Sequence, residues 1–296
     1  MRSLNRSKAS LKVTQLIQAS ADMSVAAAPW KLYGVPLSQP FRSVAWALLQ
    51  NHIPFEVQLI IPGATTKIGS RNEAYRSLSK MRSTRIPLLE DTKTGFTVAE
   101  SPAILSYLCD CHGATDMYAT PGSTKRATID SYMHWHHTGT RKLSSLVFPY
   151  LRPGEDGSAS SVSLKDIEAK VTQTLEMLEE GWFASLGTDE DDSENRFIAG
   201  GTQHSIADLL AYEEICQLYM LGLVPSDVLQ ANYPKIHAWT KRMVQLPYHE
   251  QVHVAMVELG DVTAHSDVPL AKRLGTANKA AFQALVEAQS NFQANL

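Results

Sequence analysis

Hydrophobic and polar positions along the chain change their period at one point, and that change divides the sequence. From Trp30 the run WKLYGV is of β type, and Gln39 to Gln50 then carries Phe41, Val44, Ala45, Ala47, Leu48 and Leu49 at helical spacing. FEVQLII (Phe55 to Ile61) predicts a second strand after Pro54. Gly63 to Lys80 is polar and basic, with a weak helix over Glu73 to Leu78. IPLLE (Ile86 to Glu90) and GFTVA (Gly95 to Ala99) predict two short strands joined as a hairpin through Asp91 to Thr94, and Ser101 to Cys109 predicts a closing helix. The order β-α-β-α-β-β-α is a compact α/β unit of about eighty residues.

Beyond it only the helical period is found, over Lys125 to Tyr150, Ser163 to Leu186, Ser205 to Leu221, Pro234 to Leu246 and Ala271 to Phe292. Polar breaks separate these stretches, notably RPGEDGSASS after Leu151 and TDEDDSEN after Gly187, which read as solvated loops. The expected organisation is an α/β domain over 29–112, a linker over 113–123, an all-helical domain over 124–262 and a helical extension over 263–296. Residues 1–28 read as a leader, which before Asp22 carries Arg2, Arg6, Lys8, Lys12 and four serines and no acid. It is either a disordered tail or an organelle transit peptide.

Composition removes several function classes. The chain has 296 residues, 44% of them hydrophobic, which is enough for two buried cores. With 27 Lys and Arg against 30 Asp and Glu the net charge is −3, which argues against a nucleic-acid partner. No apolar run approaches the roughly 20 residues of a membrane span. Cys109, Cys111 and Cys216 are too few for a disulfide framework and match no zinc spacing or C-x-x-C pair. Cys109 and Cys111 read as ordinary core thiols.

Three junctions carry candidate chemistry. Ser38 lies where the first strand turns into a helix; it either caps that helix or offers its hydroxyl to an anion at the helix N-terminus. Ile86-Pro87 opens the third strand, and a cis bond there would free the backbone of Ile86 to pair with an extended peptide ligand, whereas a trans proline would simply mark a strand edge. Glu100-Ser101-Pro102 begins the next helix, where Ser101 either caps it or, with Glu100, holds the carboxylate and ammonium of an amino-acid head group.

Together these features resemble the glutathione-binding, thioredoxin-like domain of the cytosolic glutathione transferases. Leu37-Ser38-Gln39-Pro40, with Arg42 close behind, is similar to the serine motif of the theta-like branch, and TVAESPAILSYL (Thr97 to Leu108) resembles the family's Glu-Ser segment. HWHHTGTRK (His134 to Lys142) is similar to the first helix of the theta-type second domain, in which an Arg, here Arg141, reaches the glutathione site. HSIADLLAYEEI (His204 to Ile215) resembles the family's buried capping box, formed by Ser205 and Asp208. The resemblance spans roughly residues 30 to 260. It implies a thioredoxin-like α/β domain followed by an all-α domain, with glutathione as co-substrate and no other cofactor. It further implies a small apolar electrophile as second substrate, peroxidase or dehalogenase side activity, a homodimer, and a cytoplasmic detoxification role, or a mitochondrial or other organellar one if the leader is a transit peptide. The opposing class is a non-catalytic interaction module of the same fold.

On this reading Ser38 is a hydrogen-bond donor to the glutathione sulfur, and Gln39, Ile86, Pro87, Glu100, Ser101 and Arg141 bind the tripeptide. The basic residue expected after the second strand has only Lys67 and Arg71 as substitutes. A Cys at the Ser38 position would favour thiol transfer, and none is present. Tyr132, His136, Phe282 and Leu285 are candidates for the electrophile's pocket. His134, His136 and His137 lack the spacing of a zinc helix, so no metal is expected.

Overall fold

Strand β1 (Trp30–Gly34) is central in a four-stranded sheet of order β2-β1-β3-β4. The computed structural model describes residues 28–151, 164–184, 196–221, 226–290 and 292; the leader up to residue 27 and both polar loops lie outside them. β2 (Phe55–Leu59) runs parallel to β1, with Trp30 opposite Phe55 and Gly34 opposite Leu59. β3 (Leu88–Asp91) is antiparallel, with Tyr33 opposite Leu88, and β4 (Thr97–Ala99) pairs antiparallel with β3, Ala99 opposite Leu88. The crossover from β1 to β2 is helix α1 (Gln39–Gln50), as a parallel pair requires.

α1 starts at Ser38, whose extended backbone occupies the N-cap, with Pro40 in the first turn, where a missing N–H costs nothing. It ends where His52 takes a positive φ of 51° and the Ile53 N–H closes onto the Leu48 carbonyl at 2.9 Å. Every residue from Gln39 to Leu49 is buried. A helix buried all round needs cover on both sides, and α1 has the sheet on one and the helical domain on the other. α2 (Glu73–Leu78) is a short helix after β2, and α3 (Ser101–His112) follows β4.

The second domain comprises α4 (Thr124–His136), a 3-10 turn (Thr140–Leu143), α5 (Ser144–Leu151), α6 (Leu164–Glu176) running into a π turn (Met177–Trp182), α7 (Ile206–Cys216), α8 (Ser226–Asn232), α9 (Pro234–Val244), α10 (His249–Leu259) and α11 (Leu270–Ser290). α7 is its axis, buried at every position, and one continuous core links it to α1.

The structure departs from the sequence expectation at four places. The helix expected over 125–150 is divided near Gly139, where the missing side chain makes room for the Trp135 ring: a Cβ on Gly139 would lie 2.3 Å from it. Helices α8 and α10 fall in stretches given no element. The linker is packed, with Met117 and Tyr118 buried and the Tyr118 hydroxyl donating to Asp130 at 2.6 Å. Cys109 is buried, with burial pushing its thiol up to about 12, but Cys111, two residues on and on another face of α3, is exposed and no core thiol. Among the described residues no helix is long and apolar enough to cross a membrane.

Candidate active site

The sheet register brings the three candidate junctions to one end of three adjacent strands. Tyr33, Leu88 and Ala99 are in line across β1, β3 and β4, so the next positions outward, Gly34, Pro87 and Glu100, are neighbours. Gly34 permits the approach: a Cβ there would lie 2.6 Å from the Phe41 ring and 3.5 Å from Ile86 Cβ. β2 runs the same way as β1, so the loop holding Lys67 and Arg71 leaves the sheet at this end too, with both side chains exposed.

Ser38 is half-buried on this rim. Its N–H donates to the Val35 carbonyl at 3.0 Å and its carbonyl accepts from Arg42 N–H at 2.9 Å, but its hydroxyl makes no cap hydrogen bond. The Ile86–Pro87 bond is cis. Glu100 holds φ 71° and ψ 115°, a conformation that non-glycine residues rarely adopt and that costs on the order of 1–3 kcal/mol. It is Glu100, not Ser101, that stands at the N-cap of α3; Ser101 is the first helical residue and is buried. Two helix N-termini, those of α1 and α3, therefore point their unpaired N–H groups toward one rim, which suits an anionic, extended ligand.

Behind the rim lies a buried polar seam between α1 and α7. Arg42 Nε lies 2.5 Å from Glu213 Oε2, with both side chains 1% exposed. Its Nη1 donates to the Leu37 carbonyl at 2.5 Å, so the pair braces the residue before Ser38. The Gln217 Nε2 donates to the same carbonyl at 3.4 Å. Burial pushes the Glu213 carboxyl up, but Arg42 and His253 together outweigh it and hold the group below the usual range. Gln39 points inward, where its amide meets Gln217 and, at 3.4 Å, Glu214 Oε2; only its backbone remains for a ligand. Arg141, at the 3-10 turn, donates from Nη1 to Glu214 Oε1 at 2.6 Å and stays 29% exposed. Glu214 thus joins Gln39 to Arg141, and its own carboxyl is raised by burial against the pull of Arg141.

Other predicted residues lie elsewhere. Tyr132 is fully buried and bonded to Thr140 at 2.8 Å, and His136 is buried with its pKa lowered to about 3, first by burial and then by Arg141 and His137. Both are closed off from solvent. Leu285 is in the core, while Phe282 on α11 is half-buried. At the start of α7, Asp208 Oδ2 accepts from the Ser205 N–H and hydroxyl, both at 2.8 Å, and Oδ1 accepts from Ile198 N–H and Trp239 Nε1 at 2.9 and 3.0 Å.

Three participants lie outside the sequence expectation. Glu213 and Glu214 are adjacent acids in a helix buried at every position, a signal that buried cations must meet them. Asn278 on α11 accepts the Leu37 N–H at 3.0 Å, and no local pattern marks it.

Comparison with known proteins bears on this arrangement. Residues 32–116 match the family described as "Glutathione S-transferase, N-terminal domain", and residues 147–247 match "Glutathione S-transferase, C-terminal domain". The chain is 27% identical over 236 residues to Glutathione S-transferase T2 of Arabidopsis thaliana, covering 78% of this chain and 37% of that protein. It is 28% identical over 218 residues to human Glutathione S-transferase theta-1, covering 72% of this chain and 81% of the relative. The chain thus spans little more than a third of the plant relative's length. The solved structure of human glutathione-S-transferase T1-1 in its apo form superposes with a TM-score of 0.62 at 24% identity, covering 88% of this chain and 99% of that one.

Proposed function

Since the chain belongs to the glutathione S-transferase family, as a theta-like member, we propose that it is an enzyme that binds glutathione on the rim formed by β1, β3 and β4 and conjugates it, through its sulfur, to small apolar electrophiles. The observation that carries this reading is the convergence of Ser38, the cis Ile86–Pro87 bond and the strained Glu100 on neighbouring strand ends.

Each part has a task that follows from its chemistry. The cis bond turns the Ile86 backbone outward to pair with the extended tripeptide. The α3 N-terminus, with Ser101, takes a carboxylate, and Glu100 the ammonium of the same head group. Lys67 and Arg71, exposed on the loop beyond β2, are the candidates for the glycine carboxylate. The Ser38 hydroxyl, free of capping duty, donates to the sulfur at the positive end of α1.

The free thiol titrates near about 8.5, so at neutral pH the thiolate must be favoured. A charge-assisted hydrogen bond contributes about 1.5–3 kcal/mol, which is one to two pKa units. The thiolate attacks the electrophilic carbon, a C–S bond forms, and the leaving group departs with the bonding electrons. Ser38 keeps its own proton throughout. Haloalkanes are the substrate class to try first; with a hydroperoxide the thiolate attacks oxygen instead, an alcohol leaves, and a second glutathione yields the disulfide and water. A two-fold dimer is the expected assembly. Calorimetric titration of the full chain with glutathione, followed by conjugation assays on halides, epoxides and hydroperoxides, tests the proposal. Binding with turnover of at least one class is expected; absence of glutathione binding overturns it.

A further inference from the structure

One buried cluster serves the rim only as a brace for Arg42, yet its composition is that of a metal site. Glu213 and Cys216 lie one turn apart on α7, and His253 projects from α10; all three are buried. His253 Nε2 is 3.2 Å from Glu213 Oε1, Cys216 Sγ is 3.7 Å from Glu213 Oε2, and one donor atom of each residue lies within 4.8 Å of the others. Met256 Sδ, one turn from His253, sits 3.7 Å from the Cys216 sulfur.

The hydrogen bonding of His253 leaves a gap that a cation fills. Its Nδ1 is 2.7 Å from the His249 carbonyl, which only accepts, so Nδ1 carries the proton. In a neutral ring the Nε2 lone pair then faces a carboxylate oxygen, and neither Nε2 nor Glu213 Oε1 has a hydrogen-bond partner of acceptable geometry. Two lone pairs 3.2 Å apart repel, so a proton or a metal ion belongs between them.

The His253–Glu213 spacing suits a tetrahedral ion, and Cys216 Sγ lies within 4.8 Å of the other two donors, so a small side-chain rotation completes the set. Nitrogen and oxygen ligands at about 2.0–2.1 Å are separated by roughly 3.3 Å around such a centre, and a thiolate at about 2.3 Å lies roughly 3.5 Å from either. Thiolate, imidazole and carboxylate form a borderline-soft set that favours zinc over magnesium or calcium. An entry path exists as well: a cavity of about 260 Å³ is lined by Cys216, His253 and Met256 and reaches the surface at Val257, which is 78% exposed. It leaves room for a water as fourth ligand.

We propose that Glu213 Oε1, Cys216 Sγ and His253 Nε2 form a site for a thiophilic d10 divalent cation of the zinc class, open on its fourth side to this cavity. Binding displaces the thiol proton of Cys216 and the proton shared by Nε2 and Oε1. Two protons leave as two positive charges arrive, so the net charge of the buried cluster with Arg42 is unchanged. Oε2 stays on Arg42, and the metal ties α10 to α7 without releasing the brace on Leu37. The residues come from distant parts of the chain, which is why histidine spacing alone gave no such site.

Cobalt titration of the full chain tests this, because a Co²⁺–thiolate bond adds a charge-transfer band in the near ultraviolet. One Co²⁺ per chain with that band is expected for the wild type and for Cys111→Ser, which removes the exposed thiol; Cys216→Ser, nearly isosteric, loses the band. Zn²⁺ added afterwards bleaches it and raises the Tm of the wild type. His253→Gln, read in the same way, weakens cobalt binding at least tenfold and covers the case in which Cys216→Ser does not fold. No band in the wild type, a band retained in Cys216→Ser, or a band lost in Cys111→Ser overturns the proposal.

Discussion

The backbone N–H of Leu37 donates to Oδ1 of Asn278, 3.0 Å away and 241 residues along the chain. The other half of the amide is fixed too, since Nδ2 donates to the Leu274 carbonyl at 2.9 Å. Helix α11 is thereby fastened to the residue immediately before Ser38. Asn278→Ala leaves a buried N–H without an acceptor, at a cost of about 1–3 kcal/mol. Urea denaturation should show a loss of that size, and the conjugation rate should fall because the Ser38 backbone loses a support.

The Arg42–Glu213 pair is more costly to break. Removing one member of a buried ion pair strands the other charge and costs about 3–5 kcal/mol. Arg42→Met should therefore be severely destabilised in guanidinium denaturation. Arg42→Met/Glu213→Leu should recover a large part of the loss, because no charge is then left alone.

Acid should destabilise the protein through His136. In the unfolded chain this histidine takes a proton near pH 6.5, whereas in the folded protein it does so only near about 3. Between those values the unfolded state binds more protons, so stability falls with falling pH by up to about 1.4 kcal/mol per unit, and levels off below the folded value. His136→Gln should flatten that slope in denaturation series run across the same window.

Asp208 satisfies four donors from three residues, so its loss reaches beyond one cap. Asp208→Ala should cost about 3 kcal/mol or more, since several buried donors lose their partner at once. Asp208→Asn, which keeps acceptor capacity in one oxygen, should cost less. Thermal unfolding of the pair of variants checks the ranking.

Much of the fold was legible wherever period and punctuation agreed. The strands and α1 are bounded by Pro36, Pro40 and Pro54, and their apolar spacing is unambiguous. α10 was missed although Val252, Ala255, Met256 and Leu259 follow the helical period, because it begins at Tyr248, in left-handed conformation with φ 63°, rather than at a capping residue. The break at Gly139 depends on where the Trp135 ring packs, which no local rule shows. Ser38, Pro87, Glu100 and Ser101 stand out in the sequence because strand–helix junctions need small polar residues and proline. The seam behind them does not, since Glu213 and Glu214 acquire meaning only once Arg42 and Arg141 arrive from far along the chain.

The measurement that bears most directly on the proposed chemistry is the pH dependence of glutathione conjugation in wild type and Ser38→Ala. If Ser38 donates to the sulfur, its loss should leave glutathione binding nearly intact, lower kcat/KM at neutral pH about ten- to a hundredfold, and move the apparent thiol pKa up by one to two units. Full activity with an unshifted profile in Ser38→Ala would contradict the account.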